Sequence, residues 1–171
     1  MERSARNLII IIVILTAALL LQSTLLERAA IKGVKPDIVL IILVFISLRK
    51  GSMAGQLSGF ISGIIEDFLS LAPLGFHAFS RTLIGFLYGL FEGNIFLDPI
   101  FMPLIVVAMA TIIKAILSSL AVLLFSISIG GYGVWGVRLL IEVGYNALLS
   151  PFLFALLGLI KALKPRDKDK M

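Results

Sequence analysis

Long apolar segments follow one another along almost the whole chain and constrain its fold more than any other feature. A helix that crosses a bilayer needs about 20 mostly apolar residues. The chain is 60% hydrophobic and 15% charged, whereas soluble domains are about 25% charged. The sequence therefore predicts an all-α, polytopic membrane protein with a bundle of six transmembrane helices. The predicted helices cover residues 8–26, 36–48, 52–69, 76–91, 100–129 and 137–163.

These helices are expected to form a single transmembrane domain, residues 1–163, followed by a charged cytoplasmic tail, residues 164–171. The first segment follows a basic head, as a signal peptide does. Its apolar core is too long for a typical signal peptide, and no convincing small-x-small cleavage site follows it. We therefore interpret it as a retained helix.

Lysine and arginine are distributed unequally between the two sides of the predicted bundle. Cytoplasmic loops of membrane proteins carry an excess of these residues. If the N-terminus is inside, three basic residues lie outside: Arg28, Lys32 and Lys35. Nine lie inside: Arg3, Arg6, Arg49, Lys50, Lys161, Lys164, Arg166, Lys168 and Lys170. The distribution predicts that both termini are cytoplasmic. The net charge of +5 then fits contact with anionic lipid, and no nucleic-acid partner is predicted.

Glycines recur at intervals of four on the third and fourth predicted helices. Residues four apart lie on one face of a helix, and glycine lets two helices approach closely in lipid. We expect the two ridges to face each other across the turn at 70–75, with Asp67 paired to Arg81. The alternative is that membrane helices simply tolerate these glycines. The ridges are Gly55, Gly59, Gly63 and Asp67 on one helix, and Arg81, Gly85, Gly89 and Gly93 on the other.

Several ionisable residues fall within two turns of the outer helix ends. Each costs about 2.5–3.5 kcal/mol on insertion scales and so needs a structural or functional reason. We predict an outer polar cluster that includes Glu66, Arg138 and Glu142, next to Asp67 and Arg81. Three interpretations are open: a ligand pocket, a proton path, or structural pairs that set the helix register. The structural interpretation is favoured.

Lys114 differs from these residues because it lies near the middle of the fifth predicted helix. A lysine more than ten residues from either helix end cannot easily extend its ammonium group to the interface. Either it faces the bundle interior, or the helix is tilted or covered by a partner. The sequence alone leaves this intramembrane charge unexplained.

Motifs of catalysis do not occur in the sequence. It contains no glycine-rich phosphate loop, nucleophile elbow or metal-ligand spacing. It has no cysteine and one histidine, His77, which excludes thiolate and multi-histidine metal sites. We predict no catalytic residues, no metal, no cofactor and no enzymatic activity.

Short motifs within this layout match a known family. Pro36-Asp37 opens the second predicted helix, the segment GQLSGFISG at 55–63 runs on to Asp67, and Leu74-Gly75 occupies the turn. In these features the chain resembles the MreD family, the rod shape-determining membrane proteins of bacteria. The resemblance spans nearly the whole chain in length and helix layout. It assigns no chemistry to its matching residues, which we interpret as packing and register residues: Pro36, Asp37, Gly55, Gly59, Gly63, Asp67 and Gly75.

The resemblance implies a non-enzymatic scaffold in the bacterial cytoplasmic (inner) membrane. Such proteins help to control cell shape and side-wall peptidoglycan synthesis. The implied direct partner is MreC, a bitopic protein with a periplasmic domain. Contacts with MreB, RodA and a class B penicillin-binding protein are implied through the complex, and contacts with membrane lipids accompany them.

Two other functions compete with the scaffold. The family is similar in fold to the six-helix substrate-binding subunits of energy-coupling-factor transporters, so a vitamin-type transporter subunit is the main alternative. Those subunits typically carry a small-x-x-x-small pattern on the first helix, and residues 8–23 have none. A lipid-handling protein that binds a phosphate through Arg81 and Arg138 is a weaker alternative.

Overall fold

Five α-helices make up the regular structure of the described residues. The computed structural model describes residues 2–24, 30, 33–70, 72–93, 100–125, 136–160 and 163. The predicted tail at 164–171 and the predicted end of the fifth helix at 126–129 lie outside this part of the chain. The helices are α1 (Glu2–Thr24), α2 (Ile38–Ser70), α3 (Phe76–Gly89), α4 (Phe101–Phe125) and α5 (Val137–Gly158).

Four of these helices are long and apolar enough to cross a membrane. The apolar stretches are Arg6–Thr24 in α1, Ile38–Ser70 in α2, Phe101–Leu123 in α4 and Val137–Gly158 in α5. The prediction of an all-α membrane protein is confirmed at this level. The predicted second and third helices are a single element, α2, and so the six predicted helices correspond to five.

The helix α2 reverses direction at Gly51, the one non-helical residue inside it (φ 83°, ψ 178°). A straight helix would separate Asp37 from Glu66 by roughly 44 Å at 1.5 Å per residue. Both carboxylates nevertheless contact the same atom, Nη2 of Arg81. A Cβ atom on Gly55 would also lie 2.6 Å from Oγ of Ser47, which is equally far from Gly51 on the other side. The helix therefore consists of two antiparallel arms, residues 38–50 and 52–70.

The first arm of α2 lies at the centre of the bundle. Its residues from Val39 to Leu48 are all buried, which explains why the sequence here is apolar without a polar face. This arm packs with residues of the other helices, among them Leu15, Ile84, Val107 and Phe154. The short apolar segment of the sequence is thus a central helix surrounded by protein.

The second arm of α2 packs against α3 through the two glycine ridges. A Cβ atom on Gly59 would overlap the backbone of Arg81, and one on Gly55 would overlap the carbonyl of Gly85. On the other helix, a Cβ atom on Gly89 would overlap the backbone of Ser52. The two backbones are in direct contact, which only residues without a side chain permit.

The ends of this hairpin differ from the sequence prediction in one respect. Gly93 is not part of the ridge, because α3 ends at Gly89 and Gly93 lies in the following turn with a φ of 74°. Gly75, just before α3, has a φ of 98°, a left-handed conformation that glycine adopts at little cost. Gly93 is thus a turn residue after α3, at the end of the hairpin away from its connecting turn. Gly75 makes the tight entry into α3 possible.

Candidate functional site: a buried ion network

The carboxylate of Asp37 is the centre of the candidate site. Its Oδ1 atom accepts a hydrogen bond from the backbone N–H of Leu40 at 2.9 Å, which caps the first turn of α2. Asp37 is buried, as is the preceding Pro36. Pro36 lies just outside α2, which begins at Ile38. Asp37 therefore lies at the start of the helix, where the sequence places Pro36-Asp37, and this carboxylate also has two cationic partners.

Those two cations connect Asp37 to two further carboxylates. Arg81 donates from Nη2 to Asp37 Oδ1 at 3.2 Å and lies 2.5 Å from Glu66 Oε2. Lys114 donates from Nζ to Asp37 Oδ2 at 2.8 Å and also contacts Glu142 Oε1. Carboxylates and cations therefore alternate along one chain of contacts, Glu66–Arg81–Asp37–Lys114–Glu142, which we name the ion network.

Neutral side chains extend the ion network to the remaining helix and fix the start of α2. The backbone N–H of Asp37 donates to Asn146 Oδ1 at 2.8 Å, and Asn146 Nδ2 donates to Thr111 Oγ1 at 3.0 Å. Gln22 of α1 accepts a hydrogen bond from the N–H of Val39 at 3.3 Å. All five helices therefore meet at the start of α2 through polar contacts.

Burial explains why each of these charges has a partner of opposite charge. Arg81 is only 1% exposed, and a buried charge costs several kcal/mol unless partners compensate for it. The carboxylates of Asp37 and Glu66, which flank Arg81, come from the two arms of α2. The arrangement therefore requires the two arms and α3 to hold one register. Chemically, it is a connection between helices, because each charge contacts an opposite charge of the protein.

Asp67 lies outside the ion network, and the predicted Asp67–Arg81 pair is wrong. Asp67 Oδ1 accepts hydrogen bonds from the backbone N–H and Nδ1 of His77, both at 2.8 Å. Its Oδ2 atom accepts from the N–H of Gly75 at 2.8 Å. A carboxylate at the positive end of a helix is stabilised by the unpaired N–H groups there. Asp67 thus caps α3 and closes the hairpin turn, while Glu66, its neighbour, pairs with Arg81.

The structure separates the residues of the predicted outer polar cluster. Glu66 and Glu142 belong to the ion network, whereas Arg138 is exposed near the start of α5. Lys114 supplies the cation that contacts Glu142, which answers why a lysine lies in the middle of α4. Among the described residues, no group of three histidine or acidic side chains is arranged to hold a metal ion.

Sequence reasoning missed the neutral members of the site and the central place of Asp37. A signal for two of them exists. Asn146 follows Glu142 by four residues and Thr111 precedes Lys114 by three, so each shares a helix face with a charged residue. No comparable signal marks Gln22, since it is isolated on α1 near the end of an apolar run.

Comparison with known proteins agrees with this membrane architecture. A family model described as rod shape-determining protein MreD matches residues 1–160. The comparisons with curated proteins and with solved structures gave no match.

Proposed function

Because the chain belongs to the family of the rod shape-determining protein MreD, we propose that it is a non-catalytic scaffold of the bacterial cell-elongation complex. In this role it holds other membrane proteins in place and helps to control cell shape and side-wall peptidoglycan synthesis. The observation that carries the proposal is the family match over residues 1–160.

The ion network supports a scaffold by its chemistry. Its two cations and three carboxylates contact one another across four helices. Paired charges that come from different helices restrict how those helices can be arranged. A platform on which other membrane helices dock needs such a fixed shape.

The proposed topology is a multi-pass protein of the bacterial cytoplasmic membrane with both termini in the cytoplasm. The reversal of α2 at Gly51 supports counting its two arms as separate passages, which makes six in all. Arg49 and Lys50 precede that reversal and carry the positive charge expected on the cytoplasmic side. The hairpin turn after Ser70 and the start of α5 then face the outside.

The proposed direct partner is MreC, whose single membrane helix would pack on the lipid-facing side of the bundle. MreB, RodA and a class B penicillin-binding protein would be reached through the complex. The test is isolation of the tagged protein from its native membranes in a mild detergent, followed by detection of MreC. Recovery of MreC supports the scaffold, and recovery of a bound small molecule without MreC contradicts it.

A pair of neighbouring substitutions makes this test specific. Gly59→Leu places a large side chain against the backbone of Arg81 and is expected to abolish both MreC recovery and rod shape. Phe60→Leu, on the exposed face next to it, is the matched control and should preserve both. Normal rod shape and normal protein level with Gly59→Leu would contradict the packing on which the scaffold depends.

A further inference from the structure

Polar residues form a ridge of their own on α5. Arg138, Glu142, Asn146 and Ser150 follow one another at intervals of four, so they share one face of the helix. A ridge of four polar residues is unusual on a helix whose other residues are mainly apolar. The ridge resembles the glycine ridges in spacing, but its side chains make hydrogen bonds and ion pairs.

The facing side of α4 carries a matching set of polar residues. Thr111, Lys114 and Ser118 are spaced by three and four and so lie on one face. Asn146 donates to Thr111 at 3.0 Å, and Lys114 contacts Glu142. The helices α4 and α5 therefore meet along a polar seam, which we define by these seven residues.

Exposure decreases along the α5 side of the seam, whereas Ser118 on the α4 side is 7% exposed. Arg138 is exposed at the start of α5, and the side chain of Glu142, one turn further, is 17% exposed. Asn146 and Ser150 are completely buried. The α5 side of the seam is therefore accessible where α5 begins and closed from Asn146 onward.

Two charged residues at the inner end of this stretch, Lys114 and Glu142, remain partly exposed. The side chain of Lys114 is 20% exposed, although the residue lies about 20 Å from the start and about 16 Å from the end of α4 at 1.5 Å per residue. That distance is too long for a lysine to reach the interface. Charged atoms at membrane depth are found facing protein or a water-filled cavity, because contact with hydrocarbon is costly.

We propose that the polar seam between α4 and α5 is an aqueous crevice. It opens where α5 begins, admits water and small hydrophilic solutes as far as Lys114 and Glu142, and is closed by the hydrogen bond between Asn146 and Thr111. With the topology proposed above, the crevice opens to the outside of the cell. The ion network that holds the helices together is thereby in contact with the external solution.

The experiment is the labelling of single introduced cysteines in spheroplasts. The protein has no native cysteine that would react with the probe. The probe is a membrane-impermeant methanethiosulfonate with a quaternary ammonium group, which reacts with a thiolate in water. Glu142→Cys and Ser118→Cys test the crevice, and Ser118 is 7% exposed in the unchanged protein. Ser150→Cys tests the closed end, and Leu148→Cys, on the exposed apolar face of α5, tests the lipid-facing surface.

We expect Ser118→Cys and Glu142→Cys to react at least about ten-fold faster than Ser150→Cys and Leu148→Cys. Ser118→Cys keeps all five ions of the network, so it decides the question even if Glu142→Cys does not fold. Equal rates at Ser118→Cys and Leu148→Cys would overturn the crevice, and fast reaction at Ser150→Cys would overturn its closed end. Reaction that occurs only in inside-out vesicles would overturn the outward opening. The labelling is independent of MreC binding, so its failure is distinguishable from failure of the scaffold proposal.

Discussion

The hairpin of α2 and α3 and the seam of α4 and α5 hold pairs of helices together by different means. In the hairpin, glycines bring two backbones into direct contact, as at Gly55 and Gly85. In the seam, side chains carry the contact, through the Lys114–Glu142 ion pair and the Asn146–Thr111 hydrogen bond. The glycine ridges of the hairpin bring backbones into contact, and the seam connects its helices through polar side chains.

The two regions show two ways in which membrane helices associate without the hydrophobic effect. Lipid is as apolar as a leucine side chain, so burial of apolar surface gives helices little reason to associate. Van der Waals contact between closely packed helices is one substitute, and it depends on how well the two helix surfaces fit. Pairing of charges supplies another, and it depends on the identity of a few side chains. We expect substitutions in the two regions to destabilise the protein for different reasons and by different amounts.

The largest effect is expected from Lys114→Met. This change leaves Asp37 and Glu142 without the cation between them, and breaking a buried pair typically costs about 3–5 kcal/mol. Because Lys114 is partly exposed, we expect a loss of about 2–4 kcal/mol in the free energy of unfolding. Unfolding in mixed detergent micelles measures it. The control is Arg6→Met at an exposed position, and an equal loss there would contradict the role of the ion network.

A smaller effect is expected from Gly55→Ala in the hairpin. The added methyl group would overlap the carbonyl of Gly85, and overpacking of this kind costs about 1–3 kcal/mol. Gly144→Ala is the matched control, because a Cβ atom there meets nothing within 4 Å. Alanine favours the helix over glycine by about 1 kcal/mol, so the control should be neutral or stabilising. Stabilisation by both substitutions would show that the two backbones are not in contact.

The smallest effect is expected from Asp67→Ala, which removes the cap of α3. Loss of an N-terminal cap costs about 0.5–2 kcal/mol, and Gly75 and His77 lose their acceptor. Thermal unfolding in detergent is a suitable measurement. Ser70→Ala, which removes an exposed hydrogen bond on the same arm, should leave the midpoint unchanged. If Asp67→Ala also leaves it unchanged, the carboxylate does not hold the hairpin turn.

The two regions also differ in how far the sequence predicts them. The glycine ridges depend on local spacing, because Gly55, Gly59 and Gly63 fall on one face whatever the rest of the chain does. Their packing partner follows in the chain after a short turn. The hairpin is therefore accessible to reasoning from helical periodicity.

The ion network depends on contacts between residues far apart in the chain. Asp37 and Lys114 are 77 residues apart, and no periodicity relates them. Asp67 and Glu66 are adjacent carboxylates, and only the direction in which each side chain leaves the helix decides which one meets Arg81. Periodicity places residues on a face but does not identify the opposite charge that another helix supplies. This is why the Asp67–Arg81 prediction was wrong and Lys114 stayed unexplained.

The most direct test of the ion network is a double-mutant cycle between Asp37 and Lys114. Asp37→Asn keeps a side-chain oxygen for capping α2, Lys114→Met removes the cation, and the double variant combines the two. Their free energies of unfolding in detergent are compared with that of the unchanged protein. We predict that the double variant loses less free energy of unfolding than the two single variants lose together. The expected interaction energy is about 0.5–3 kcal/mol. Additive losses would contradict a network in which these two charges hold the helices together.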